Sequence, residues 1–176
     1  SPRSAVPDPM RGLRSLLRCT AGAAAADLVL VLPAATALMF GTAELGYYFY
    51  CEHQVVKGVR DGARFASRQS FVGINCIGNA PSAIPADVEL AIQEVTRTRQ
   101  IPGGTARMPG WANADVAVTV TCPGTVINTG IYENEDNAPQ VNLDARVAYP
   151  SLFDGMAVLD NTYFLNAEQQ AAVMGI

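Results

Sequence analysis

One run constrains this chain more than any other: GAAAADLVLVLPAATALMFGTAELGYYFY, residues 22–50. From Leu28 to Cys51 the only charged side chain is Glu44. As a helix rising about 1.5 Å per residue, that stretch extends about 36 Å, enough to cross a hydrocarbon core of about 30 Å. The hydrophobic core of a cleaved secretory signal is shorter, about 7 to 15 residues. A single membrane span is therefore expected, with the buried helix of a soluble protein as the competing reading. Two features remain to be explained: Asp27 near the start of the run, and the glycine and four alanines that open it. A carboxylate in hydrocarbon is costly and calls for a partner.

The formal charge of the whole chain is −4, but it is unevenly spread. Residues 1–68 carry +3 and residues 69–176 carry −7. An acidic distal half repels phosphate, which argues against nucleic acid as a partner. The basic residues near the span are suited instead to anionic lipid. Arg3, Arg11, Arg14 and Arg18 precede the span while Lys57, Arg60, Arg64 and Arg68 follow it, so the positive-inside count ties. Cys76 and Cys122 lie in Gly- and Pro-flanked segments of the distal half, as suits a disulfide in an oxidising compartment. That places the distal half outside.

Along the chain, SPRSAVPDP has no periodicity and is expected to be disordered, with Met10 a candidate start of a basic leader, MRGLRSLLRCTAG. Residues 23–68 are predicted to form one helix that leaves the membrane near Tyr50 and continues as an amphipathic rod. Val55, Val56, Val59 and Phe65 supply its apolar stripe. Pro33 is expected to kink or locally unwind it. Residues 69–85 read as a loop with Gly73, Gly78, Pro81 and Pro85. Residues 86–100 read as a helix with Val88, Ala91, Ile92 and Val95 on one face, acids early and arginines late. Residues 114–122 and 141–149 alternate apolar with polar, as strands with one wet face do, and 132–137 is a polar loop. A last strand is expected around TYFL (162–165), followed by a helical turn. The fold class is thus α+β: a leader (1–22), a long transmembrane and amphipathic helix (23–68), and a head (69–176) with a short antiparallel sheet.

Little in the sequence suggests catalysis. The lone histidine, His53, sits just past the span, and the four cysteines form no CxxC pair. No G-x-G-x-x-G or other phosphate-binding loop is present. Glu133, Glu135 and Asp136 do not follow the calcium-loop spacing and read as a solvated loop. No enzyme, cofactor or metal site is expected.

With enzymes set aside, the opening run becomes the informative stretch. A basic leader ends in Gly22, small residues follow, and an acid stands at the fifth position after that glycine. This resembles type IV prepilins, and more closely the TadE-like pseudopilins of tight-adherence pili. The features that carry the resemblance are Gly22 to Pro33, Glu44 to Gly46, Tyr47 to Tyr50, Asp61 to Ala66 and the tail LNAEQQAAVMGI. At the fifth position the family usually has Glu, and this chain has Asp27, shorter by one methylene.

The resemblance implies cleavage between Gly22 and Ala23 by a prepilin peptidase. It also implies that Asp27 pairs with the new N-terminal amine of an adjacent subunit, with Glu44 a second candidate for subunit pairing or a carboxylate snorkelling to the headgroups. Ala23 to Ala26 would let helices approach closely. The implied partners are membrane lipid, other pilins and the peptidase. The implied location is the bacterial inner membrane, single-pass, with a cytoplasmic N-terminus and a periplasmic head. A different reading of the same helix is an unprocessed single-span accessory subunit of a larger inner-membrane complex.

Overall fold

The computed structural model describes residues 20–123, 129–133, 135, 137–153 and 162–175. Most of the expected leader therefore lies outside the described residues, as do residues 158–161 and Asp136. In chain order the elements are α1 (Thr20–Ala66), β1 (Cys76–Ile77), β2 (Ala80–Pro81), α2 (Ala86–Thr98), β3 (Val116–Thr121), β4 (Gln140–Ala148) and β5 (Phe164–Ala172). Single 3-10 turns occupy Asn113–Asp115 and Gly130–Tyr132. The architecture is α+β, as the patterning predicts.

The chain divides into two compact units, 1–42 and 43–176. In the first, every described residue belongs to α1, and the large apolar side chains stand open, from 37% exposed at Phe40 to 77% at Leu30. The helix runs through Pro33 without a break, contrary to the local unwinding expected there. Proline is tolerated in such helices when the freed backbone groups find other partners. Thr36 and Thr42 return their hydroxyls to carbonyls of the preceding turn, each at 2.9 Å, so neither hydroxyl is left unpaired in apolar surroundings.

In the second unit the remainder of α1 joins α2 and the sheet in one core. Cys51, Val55, Val59, Ala63 and Ala66 of α1 are buried with Ile92 of α2 and Val116, Val118, Val141, Leu143, Val147 and Leu165 of the strands. The sequence puts the start of the head at residue 69. The compact unit starts at 43 instead, because the inward stripe of α1 is itself a wall of the core.

β3, β4 and β5 form one antiparallel sheet in that order, with Val118 opposite Leu143 and Leu143 opposite Gln169. Strict in–out alternation along β3 and β4 buries the valines and exposes Ala117, Thr119, Thr121, Asp144 and Arg146. Two differences from the sequence reading concern the sheet. The segment 69–85 contains the β1–β2 hairpin, turning where Gly78 adopts φ 63°, which favours glycine. The tail is strand through Ala172, with no helical turn after Leu165. Its Ala, Glu and Gln favour helix locally, but nine consecutive pairs with β4 override that preference.

α2 carries Asp87 and Glu89 in its first turn and Arg97 in its last, complementing the helix dipole. Arg99 closes it in the left-handed region at φ 67°, its N–H donating to the Val95 carbonyl. Ile92 of the predicted face is fully buried, and so is Thr96, whose hydroxyl donates to the Ile92 carbonyl at 2.7 Å.

Candidate functional site

The residues that set this chain apart lie along α1, and they differ in what they meet. Gly22 is exposed within the first turns of the helix, with open space where a Cβ would stand. Ala23 follows it in the same helix. Asp27 is exposed and has no partner among the described residues, in a stretch whose neighbours are aliphatic. A lone carboxylate there is expensive in lipid unless a cation from outside this chain's described residues meets it.

Glu44 is a different case. It is 1% exposed and lies on the inward stripe with Tyr47, Tyr48 and Cys51. The Tyr149 hydroxyl donates to Glu44 Oε1 at 2.8 Å, and the Leu152 N–H reaches the same oxygen at 3.3 Å. The expectation that Glu44 snorkels to the headgroups is therefore corrected: the helix turns it into its own head, where it is enclosed and not presented to a neighbouring subunit. Its Oε2 is buried with no hydrogen-bond partner among the described residues. Around the pair, Tyr48 meets the Tyr149 ring edge-on at 5.3 Å between centroids, and Tyr47 lies at 6.1 Å. Burial foremost, then the hydrogen bond to Glu44, pushes the Tyr149 hydroxyl well above the usual tyrosine pKa.

Sequence reasoning missed the glycines of α1. A Cβ on Gly58 would stand 2.5 Å from the Thr96 carbonyl oxygen and from the Trp111 ring. On Gly62 it would collide with Thr96 Oγ1 and come within 2.8 Å of Leu143 Cδ2. These glycines let α2 and Trp111 lie directly on the backbone of α1. The signal was present in the four-residue repeat Gly58, Gly62, Ala66, the small-residue spacing that lets helices approach. The valine stripe is confirmed at Val55 and Val59, whereas Val56 and Phe65 are only half-buried.

Cys76 and Cys122 are joined in a disulfide, with Cα atoms 6.0 Å apart, fastening the β1–β2 hairpin to the end of β3. Cys51 is a buried free thiol in the core, and Cys19 lies outside the described residues. His53 is exposed. Glu133 and Glu135 follow the 3-10 turn Gly130–Tyr132, and among the described residues no three His, Cys, Asp or Glu side chains converge as metal ligands would.

Among the described residues, one helix near the N-terminus is long and apolar enough to cross a membrane, and a small α+β head follows it, a pattern consistent with a single-pass membrane protein. Residues 22–64 match the family model described as TadE-like protein. The match covers nearly all of α1 and none of the sheet. No curated protein and no solved structure matches the chain.

Proposed function

We propose that this chain is a pilin-like structural subunit, a pseudopilin or minor pilin, of a tight-adherence pilus. It is made as a single-span precursor of the bacterial inner membrane, with its N-terminus in the cytoplasm and its head in the periplasm. The observation that carries the reading is the coincidence of the TadE-like match at 22–64 with the exposed apolar face of α1. Counted from Ala23 to Thr42, ahead of the head, the helix covers about 30 Å, the thickness of a hydrocarbon core. The disulfide supports an oxidising compartment for the head.

In this reading the chemistry is assembly. Cleavage after Gly22 frees the amine of Ala23, and Asp27 of a neighbouring subunit receives it as an ion pair in lipid. Glu44 has a separate task inside its own chain, holding the head against α1 through Tyr149. The protein has no catalytic role, and its partners are lipid, other pilus subunits and a prepilin peptidase.

The reading is tested by protease accessibility of the head in intact cells, spheroplasts and lysed membranes, together with a blot of the sheared pilus fraction. A head digested in spheroplasts, and a signal in the sheared fraction, is the expected result. A head digested only after lysis overturns the orientation. A head outside but absent from the pilus fraction, in cells that still make pili without this chain, favours the accessory-subunit reading.

A further inference from the structure

We propose that the cleft between the Tyr50–Gln54 turn of α1 and the segment 98–107 is a phosphate-binding site, filled by the headgroup of an anionic lipid. The inference starts from an unfinished guanidinium. The Arg107 side chain is 2% exposed, and its Nη2 pairs with Asp61 Oδ2 at 2.5 Å. Its Nε and Nη1 are buried and have no acceptor among the described residues. Arginine carries five N–H donors that cannot be discharged by deprotonation, and buried polar groups without partners are rare in folded proteins. The arrangement calls for an oxygen-rich anion.

The surroundings fit that anion. The cleft measures about 210 Å³ and is lined by Tyr50, Gln54, Thr98, Arg99, Thr105 and Arg107. None of the six is a carboxylate, in a chain where acids outnumber bases. Gln54, Arg99 and Thr105 make no side-chain hydrogen bond among the described residues, so their donors are free, whereas the Thr98 hydroxyl is already bonded to Glu94 and Gln100. Tyr50 and Gln54 stand one turn apart on the same face of α1. Planar guanidinium groups suit phosphate oxygens in pairs, and two arginines meet here.

Position selects the lipid. Leu45, Phe49 and Tyr50 lie open on the same stretch of α1, each about half exposed. Exposed aromatics at the end of an apolar helix mark the level of the headgroups. This choice of source rests on the single-span reading. The phosphate chemistry does not.

The test uses the full chain in a zwitterionic detergent. Native mass spectrometry reads retention of phosphatidylglycerol against phosphatidylcholine, and thermal unfolding reads the response to inorganic phosphate. Arg99→Gln removes an exposed charge from the cleft without disturbing the core, and Arg64→Gln removes one from elsewhere on α1. The wild-type chain and Arg64→Gln are expected to prefer phosphatidylglycerol, with Arg99→Gln retaining about fivefold less, the effect of one basic residue at a lipid surface. Inorganic phosphate is expected to compete for the site. Stabilisation by inorganic phosphate that Arg99→Gln abolishes, without a lipid preference, assigns the site to a free phosphate group and overturns the lipid source. Equal losses in the two variants, or no response to either probe, overturn the site itself. Because the phosphate arm needs no membrane, its result is independent of whether α1 spans one.

Discussion

The hydroxyl of Tyr149 meets two oxygens of Glu44 at once, the carboxylate Oε1 at 2.8 Å and the main-chain carbonyl at 3.2 Å. The residues are 105 apart in sequence, and their contact joins the first turn of α1 inside the head to the end of β4. Tyr149→Phe keeps the ring packing and removes the donor, leaving a buried carboxylate with less support. A loss of about 1 to 3 kcal/mol is expected, read by denaturant unfolding of the full chain in detergent. An unchanged midpoint would show that the contact contributes nothing.

The same pair gives a pH dependence with a definite sign. Tyr149 ionises at higher pH in the folded chain than in the unfolded one, so the folded state holds its proton more tightly. Stability from this group is fully present below the ordinary tyrosine value of about 10 and declines as pH rises past it. Melting between pH 8 and pH 11 should therefore fall more steeply in the wild type than in Tyr149→Phe. Parallel curves would contradict the assignment.

Gly62 and Gly46 are both helical glycines with opposite expectations. Gly62→Ala forces a methyl group into Thr96 and Leu143 and should cost about 1 to 3 kcal/mol. Gly46→Ala meets nothing within 4 Å and should be neutral or stabilising by up to about 1 kcal/mol, since alanine is the better helix former. Chemical denaturation of the two variants side by side checks the contrast.

The disulfide closes a separation of 46 residues, for which chain-entropy reasoning gives on the order of 4 kcal/mol as an upper guide. Replacing Cys76 and Cys122 together with serine should lower head stability by up to that amount. Non-reducing peptide mapping of membrane-extracted protein should recover the linked peptides. Free thiols at both positions would remove the bridge and the main argument for an external head.

What the sequence revealed and concealed follows from the range of the forces involved. The apolar run of α1, the alternation of β3 and β4, and the charges of α2 are local patterns, so they could be read directly. The tail was misread because Ala167, Glu168, Gln169 and Gln170 have a helical preference that only pairing with β4 overrules. The burial of Glu44 was hidden because the cause is Tyr149, distant in sequence. The Arg107–Asp61 pair joins residues 46 apart and was equally invisible. The resemblance of the first helix was legible because it rests on local residue patterns along one segment, from Gly22 to Pro33 and on through Glu44 to Gly46, Tyr47 to Tyr50 and Asp61 to Ala66.

Asp27 should matter for assembly more than for insertion. Asp27→Asn removes the charge and keeps the shape, so the span should enter the membrane normally while pairing with a neighbouring amine is lost. Fractionation should find wild-type amounts in the membrane and a depleted pilus fraction. Normal incorporation of the Asn variant would show that the carboxylate is dispensable.

The most direct test of the pilin reading is the mass of the mature N-terminus. The full chain is expressed with an active prepilin peptidase and, separately, with a catalytically dead one, and intact-mass spectrometry reads the product. The account predicts a chain beginning at Ala23 with the active enzyme and an uncut chain with the dead one. Only uncut chain beside an active peptidase, shown competent on another prepilin in the same cells, would contradict it.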